Sequence, residues 1–232
     1  MPNQLLTINN NIPLICNAVR TVGIVKPTFD PVKKGFKPPS LQVFGTGFWM
    51  KGSKTFITCA HVVDDLLGAP IELAGMLVVG GNGIDYKKAT IYAIDYFHDL
   101  AILNIEADKN CIEQQSQMGL EIVNRDLSVG ETIAYAGFPL GNQLLNSKHS
   151  PTYVEGVIGS EVIENMNGDK KQIQISGSIV GGFSGAPLVL KNDRHKLIGV
   201  VSNSPSKEAG DASIFMGIHW RHIKAFVDLA TS

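Results

Sequence analysis

Residues 181–188 read Gly181-Gly182-Phe183-Ser184-Gly185-Ala186-Pro187-Leu188, a serine set among glycines immediately ahead of an apolar run. Glycine permits backbone angles that other residues resist, and it lets a following strand pass close behind the serine. A serine hydroxyl is a poor nucleophile at neutral pH and needs a base to take its proton as it attacks a carbonyl. Two other stretches supply the missing parts. Thr58-Cys59-Ala60-His61-Val62-Val63 ends a β-rich run with an imidazole at the start of a short helical turn. His98-Asp99-Leu100-Ala101-Ile102-Leu103 sets a carboxylate just before an apolar strand. Histidine, with an unperturbed pKa near ~6.5, is mostly neutral at pH 7 yet able to accept a proton. A buried carboxylate that accepts the proton of the other ring nitrogen fixes the tautomer and stabilises the imidazolium. The candidate catalytic residues are therefore Ser184, His61 and Asp99. The N–H groups of Gly182 and Ser184 are the candidate oxyanion donors, each contributing roughly 3 to 4 kcal/mol.

Around these motifs the chain reads as many short strands. Residues 19–25, 41–50, 55–58, 76–79, 89–96 and 101–105 are β-rich runs bounded by turn residues, and Gly80-Gly81-Asn82-Gly83 predicts a hairpin between the fourth and fifth. Strands resume at 132–137, 153–163, 171–177, 186–190, 196–202 and 213–218, with clean alternation in Gln172-Ile173-Gln174-Ile175. Residues 26–40, with four prolines and four lysines, are expected to form a surface loop. The polar stretch 108–126, with Gln114, Gln115, Ser116 and Gln117 and no clear period, is expected to be a crossing between two halves, 12–115 and 126–232. Only the end is clearly helical, where Trp220, Ile223, Val227 and Ala230 make one apolar stripe. A second short helical turn is expected over 61–67.

Composition narrows the function classes. The 232 residues carry 20 basic and 21 acidic side chains, a net charge of -1, so no overall field draws nucleic acid or an anionic membrane. No run of about 18 apolar residues is present and the first eleven residues lack a signal-peptide pattern. Three cysteines, Cys16, Cys59 and Cys111, are too few and too odd for a disulfide framework, which predicts a reduced, cytoplasmic setting. Cys59 reads either as a redox-sensitive thiol or as a small buried apolar residue. His219 and His222, three apart at a helix start, could supply two metal ligands, with no third ligand evident nearby and helix-start solvation as the alternative. Neither a metal nor a cofactor is required by the motifs.

The motifs resemble, in order, those of the trypsin-like serine proteases, and most closely their disulfide-free HtrA/Deg-type branch. Gly45-Thr46-Gly47-Phe48 and the stretch 56–63 resemble the approach to that family's histidine, and Asp99-Leu100-Ala101-Ile102-Leu103 its aspartate segment. Val129-Gly130-Glu131 with Gly137-Phe138-Pro139-Leu140-Gly141 resembles the opening of its second barrel. Residues 182–188 resemble the nucleophile segment, and Ile198-Gly199-Val200-Val201-Ser202 the strand lining its cleft. The resemblance implies an all-β fold of two six-stranded antiparallel β-barrels with a C-terminal α-helix. It implies a serine endopeptidase acting on protein or peptide substrates, with His61 and Asp99 from the first barrel and Ser184 from the second. Substrate backbone would pair with Ser202, Asn203 and Ser204 as an added strand. The side-chain pocket would involve Ser178, Ser202, Asn203, Ser204 and Gly217. Ser178 stands where trypsin-type enzymes carry an aspartate, so a small to medium apolar residue before the cleaved bond is expected rather than Arg or Lys. Phe183 departs from the family's usual Asp or Asn, which removes zymogen-type pairing with a freed N-terminus. It leaves open whether the Gly182-Phe183 peptide is flipped at rest. No PDZ domain follows the helix within this sequence. The competing reading is a catalytically silent peptide-binding or scaffold protein of the same fold.

Overall fold

Most of the proline-rich stretch at 26–40 lies in two paired strands. In the computed structural model, which describes residues 14–30, 32, 34–67, 76–80, 86–141, 150–164, 171–177, 179–203 and 215–232, strand β1 (Val19–Asp30) pairs antiparallel with β2 (Gly35–Trp49) over nearly its whole length. The sequence reading of a surface loop there is corrected. The ladder shifts register between Lys26 and Thr28, where Pro27 faces the Pro38-Pro39 pair. Prolines lack an N–H to donate, and a sheet accommodates them at such irregularities.

Strands β3 (Phe56–Thr58), β4 (Met76–Gly80), β5 (Tyr86–Asp95) and β6 (Leu100–Ile105) complete a closed barrel in the order β1-β2-β3-β6-β5-β4. The hairpin expected between the fourth and fifth strands is β4 paired with β5, with Val78 opposite Lys88. The second barrel holds β8 (Thr132–Gly137), β9 (Thr152–Glu164), β10 (Lys171–Ser176), β11 (Pro187–Leu190), β12 (Asp193–Asn203) and β13 (Phe215–His219). Its order is β11-β8-β9-β10-β13-β12, closed by pairing of β11 with β12. Both barrels are six-stranded and antiparallel. Along β12 a short strand β7 (Glu121–Ile122) adds in parallel.

The connection between barrels is more ordered than its composition suggests. Asp108 caps helix α3 (Lys109–Gln117), its side chain accepting from the Cys111 N–H at 2.8 Å. The buried face of α3 is Cys111, Gln115 and Ser116. Gln115 accepts a hydrogen bond from the Arg20 guanidinium, so a polar side chain serves where hydropathy looks for leucine. Beyond α3 the chain is tied to both barrels. Leu120 N–H donates to Trp49 O at 2.9 Å, and Val123 N–H donates to Leu197 O at 2.9 Å.

Short helix α1 (Leu14–Ala18) packs against β8 and β12 before the chain enters the first barrel. Helix α2 (Ala60–Leu67) follows β3, and helix α4 (Trp220–Thr231) buries Trp220, Ile223 and Phe226, with Val227 and Ala230 partly covered beside them. One apolar cluster runs through the first barrel and across to Ala134, Val189, Leu197 and Ile218 of the second. A second cluster fills the second barrel around Tyr135, Ile158, Ile173, Phe183 and Leu188. Among the described residues no helix is long and apolar enough to cross a membrane.

Candidate active site

The site lies where the two barrels meet. Strand β3 ends at Thr58, and α2 starts at Ala60, so His61 sits in the first turn of that helix with its side chain 42% exposed. Its partner comes from the four-residue turn between β5 and β6. The side chain of Asp95 closes that turn by accepting from the His98 N–H at 3.0 Å and pairing with His98 Nδ1 at 2.6 Å. Asp99 takes the left-handed conformation, φ 59°, which aspartate tolerates better than most residues. This aims both oxygens at His61. Nδ1 lies 2.9 Å from Oδ1 and 2.8 Å from Oδ2, and the His61 backbone N–H donates to Oδ1 at 2.9 Å.

Ser202 adds a third donor to Asp99, its hydroxyl 2.5 Å from Oδ2. The signal for it is a β-bulge. Val201 pairs with Gly217 and Asn203 with Met216, leaving Ser202 as the extra residue in β12 and turning its side chain out of the ladder. Burial pushes the Asp99 carboxyl up, but the hydrogen bonds from His61 and Ser202 outweigh it and hold the group below the usual carboxylate range. The Ser202 carbonyl in turn accepts from Ser184 Oγ at 3.3 Å. Ser184, Ser202, Asp99 and His61 thus form one hydrogen-bonded chain. No direct bond between Ser184 Oγ and His61 is present among the described residues; such contacts are often loose without substrate.

The backbone before Ser184 forms a tight turn. Phe183 N–H donates to Val180 O at 3.2 Å, with Gly182 at φ 99°, the geometry of a type II turn. A Cβ at Gly182 would stand 2.2 Å from Phe138 O, so only glycine fits. Gly181 O accepts from Leu140 N–H at 2.6 Å. In a trans peptide the N–H points opposite to the C=O, so the Gly182 N–H faces away from Leu140. By the same argument Phe183 O, which accepts from Ala186 N–H at 2.8 Å, directs the Ser184 N–H the other way. Neither N–H meets an acceptor among the described residues. Beneath the turn Phe183 is 2% exposed and packs edge-on against Tyr135, with ring centroids 5.4 Å apart.

The remaining candidates fall in several places. Asn203 ends β12, and Gly217 lies in β13 where a Cβ would meet Leu188 Cδ1 at 2.4 Å. Ser178 and Ser204 lie outside the described residues. His219 caps α4 by accepting from Arg221 N–H at 3.2 Å, and His222 stacks on His98 at 4.1 Å. Cys59, His61 and Asp99 have potential ligand atoms within 4.8 Å of one another, a group that sequence reading missed. Cys59 is fully buried, its thiol donating to Val201 O at 3.3 Å. Burial first, and then the Asp99 charge, push this thiol well up, so it stays protonated and unreactive. Sequence reasoning also missed the Ser202 hydroxyl as a partner of Asp99, having given that residue only substrate-pairing and pocket-lining roles.

Three comparisons bear on this geometry. The solved structure of the HtrA-type protease AlgW with decapeptide superposes with a TM-score of 0.68 over 94% of this chain and 64% of that one, at 19% identity. An uncharacterized protein, y4bJ of Sinorhizobium fredii (strain NBRC 101917 / NGR234), is 26% identical over 159 residues. The match takes in 68% of this chain but only 22% of that protein, so the chain spans a minor part of its curated relative. The family model of the trypsin-like peptidase domain matches residues 45–200. With that match over more than half its length, and two six-stranded barrels to carry it, the chain belongs to the trypsin-like peptidase family.

Proposed function

We propose that the protein is a serine endopeptidase that hydrolyses peptide bonds of protein substrates through an acyl-enzyme. Ser184 Oγ attacks the scissile carbonyl carbon as His61 Nε2 takes its proton, and Asp99 holds the imidazole by its Nδ1–H. The N–H groups of Gly182 and Ser184 receive the oxyanion. Collapse breaks the C–N bond, His61 gives its proton to the leaving amine, and water then cleaves the acyl ester with His61 again as base. What carries the reading is the Asp99 carboxylate set with both oxygens on His61 Nδ1, beside the glycine turn that leads into Ser184. Extended peptide would add to the edge at Ser202, Asn203 and Ser204, with Ser178 and Gly217 beside its side chain. That the AlgW structure is one with a decapeptide supports a peptide ligand. Three buried cysteine thiols agree with a reducing, cytoplasmic setting.

The bond from Ser184 Oγ to Ser202 O, in place of one to His61, favours a second reading, a silent peptide-binding member of the fold. Labelling with a serine-directed fluorophosphonate separates the two. The wild type is expected to label and Ser184→Ala to lose the label completely, with no effect of a chelator. Labelling that persists in Ser184→Ala refutes the nucleophile, and a wild type that does not label supports the silent reading.

A further inference from the structure

The Gly182-Phe183 peptide is held from the opposite barrel by one fully buried side chain, Thr46 of β2. Its Oγ1 donates to Gly182 O at 2.8 Å and accepts from Phe138 N–H at 3.1 Å. Its backbone N–H donates to Ser184 O at 2.8 Å, and its carbonyl accepts from Thr58 Oγ1 at 2.7 Å. Every polar atom of Thr46 is thus committed, and two of its bonds fall on the carbonyls either side of Phe183. Two glycines make room for it. A Cβ at Gly137 would stand 2.7 Å from Thr46 Oγ1, and one at Gly185 would stand 2.0 Å from Thr46 O.

A planar peptide turns as a unit, so a bond on its carbonyl fixes its N–H as well. The Gly182-Phe183 unit is pinned at both ends, its O by Thr46 and its N–H by Val180 O. Turning it over would break both bonds, bury Gly182 O without a donor, and move the neighbouring Gly182 N–H. We infer that the Thr46 hydroxyl is a positioning residue for the oxyanion-binding backbone, so that the first barrel sets the pocket carried by the second. The inference rests on the proposed serine endopeptidase reading. It concerns a residue that touches neither substrate nor nucleophile side chain.

Valine matches threonine in shape and lacks the hydroxyl, whereas serine keeps it. The test compares wild type, Thr46→Val and Thr46→Ser by the concentration dependence of fluorophosphonate labelling, which separates the maximal rate from the half-saturating concentration. Thr46→Val is expected to lose about 10- to 100-fold in maximal rate with the half-saturating concentration little changed. Thr46→Ser is expected to stay within about threefold of the wild type. Thermal unfolding checks that each variant is folded, and Thr46→Ala replaces the valine variant, with the same expectation, should that one not fold. A hydroxyl-free variant that labels at the wild-type rate overturns the role of Thr46 and leaves the protease reading standing. So does a serine variant that falls as far as valine. A wild type that does not label at Ser184 overturns the protease reading and this inference with it.

Discussion

Gly182→Ala is the most informative single change, because the structure fixes what it must do. At φ 99° an alanine is strained, by about 1 to 2 kcal/mol on the penalty for left-handed backbone. Its Cβ would stand 2.2 Å from Phe138 O and 3.1 Å from Leu140 N, both main-chain atoms that no rotamer change can move. The turn must shift, and the Gly182 N–H shifts with it. Loss of one oxyanion donor is worth roughly 3 to 4 kcal/mol, a factor of about 10² to 10³ in rate. The strain also lowers the melting temperature, by about 2 to 4 °C per kcal/mol for a chain of this size. Fluorophosphonate labelling measured well below that midpoint separates the two effects. A folded Gly182→Ala protein that labels within about threefold of the wild type would refute the assignment of this backbone to the oxyanion.

Two other changes test the rest of the site. Asp99→Asn should keep the fold yet slow labelling of Ser184 by about 10⁴-fold, since an amide in place of the carboxylate leaves His61 in the wrong tautomer; a loss under tenfold would argue that Asp99 does not orient the base. Ser202→Ala should cost stability mainly above about pH 4. The Asp99 carboxyl is depressed in the folded state, so its contribution is fully present above the ordinary carboxylate value and is lost as pH falls through the folded one. Urea midpoints of wild type and Ser202→Ala should therefore converge as pH falls below the ordinary carboxylate value, and a gap that widens on acidification would contradict the bond between Ser202 and Asp99.

Much of this was legible because the chemistry-bearing residues sit next to strands with strong local signals. The stretch 56–63 is an apolar strand and then a helix start, and β3 and α2 form there. Gly182 is expected to take angles that other residues resist and lies at φ 99°, and Gly185 is expected to allow close packing and has Thr46 O where a Cβ would stand. Three features were missed for physical reasons. Helix α3 buries Cys111, Gln115 and Ser116, a face without the apolar period on which sequence reading depends. The paired strands within 26–40 are rich in proline, yet Pro27, Pro38 and Pro39 lie at a register shift where no ladder bond is required of them. Ser202 is set by a bulge, and a bulge depends on the partner strand, which no local window contains.

The anchoring of the turn before Ser184 accounts for Phe183 at a position where the resemblance in sequence leads to the expectation of a small or polar residue. The turn needs something to hold its central peptide in place, and a charge pair is one way to do so. Here the hold comes from two uncharged sources. From below, the Phe183 ring is buried against Tyr135 in the core of the second barrel. From the side, Thr46 of the first barrel donates to Gly182 O and to Ser184 O. Neither anchor titrates, so the turn has no protonation step of its own. The Thr46 anchor depends on the barrels being docked, since Thr46 reaches across the junction and Thr58 braces it from behind. Ser184 is therefore placed in part by contacts that join the two halves, and loosening the junction would remove the Thr46 bonds to Gly182 O and Ser184 O while leaving Phe183 packed in the second barrel.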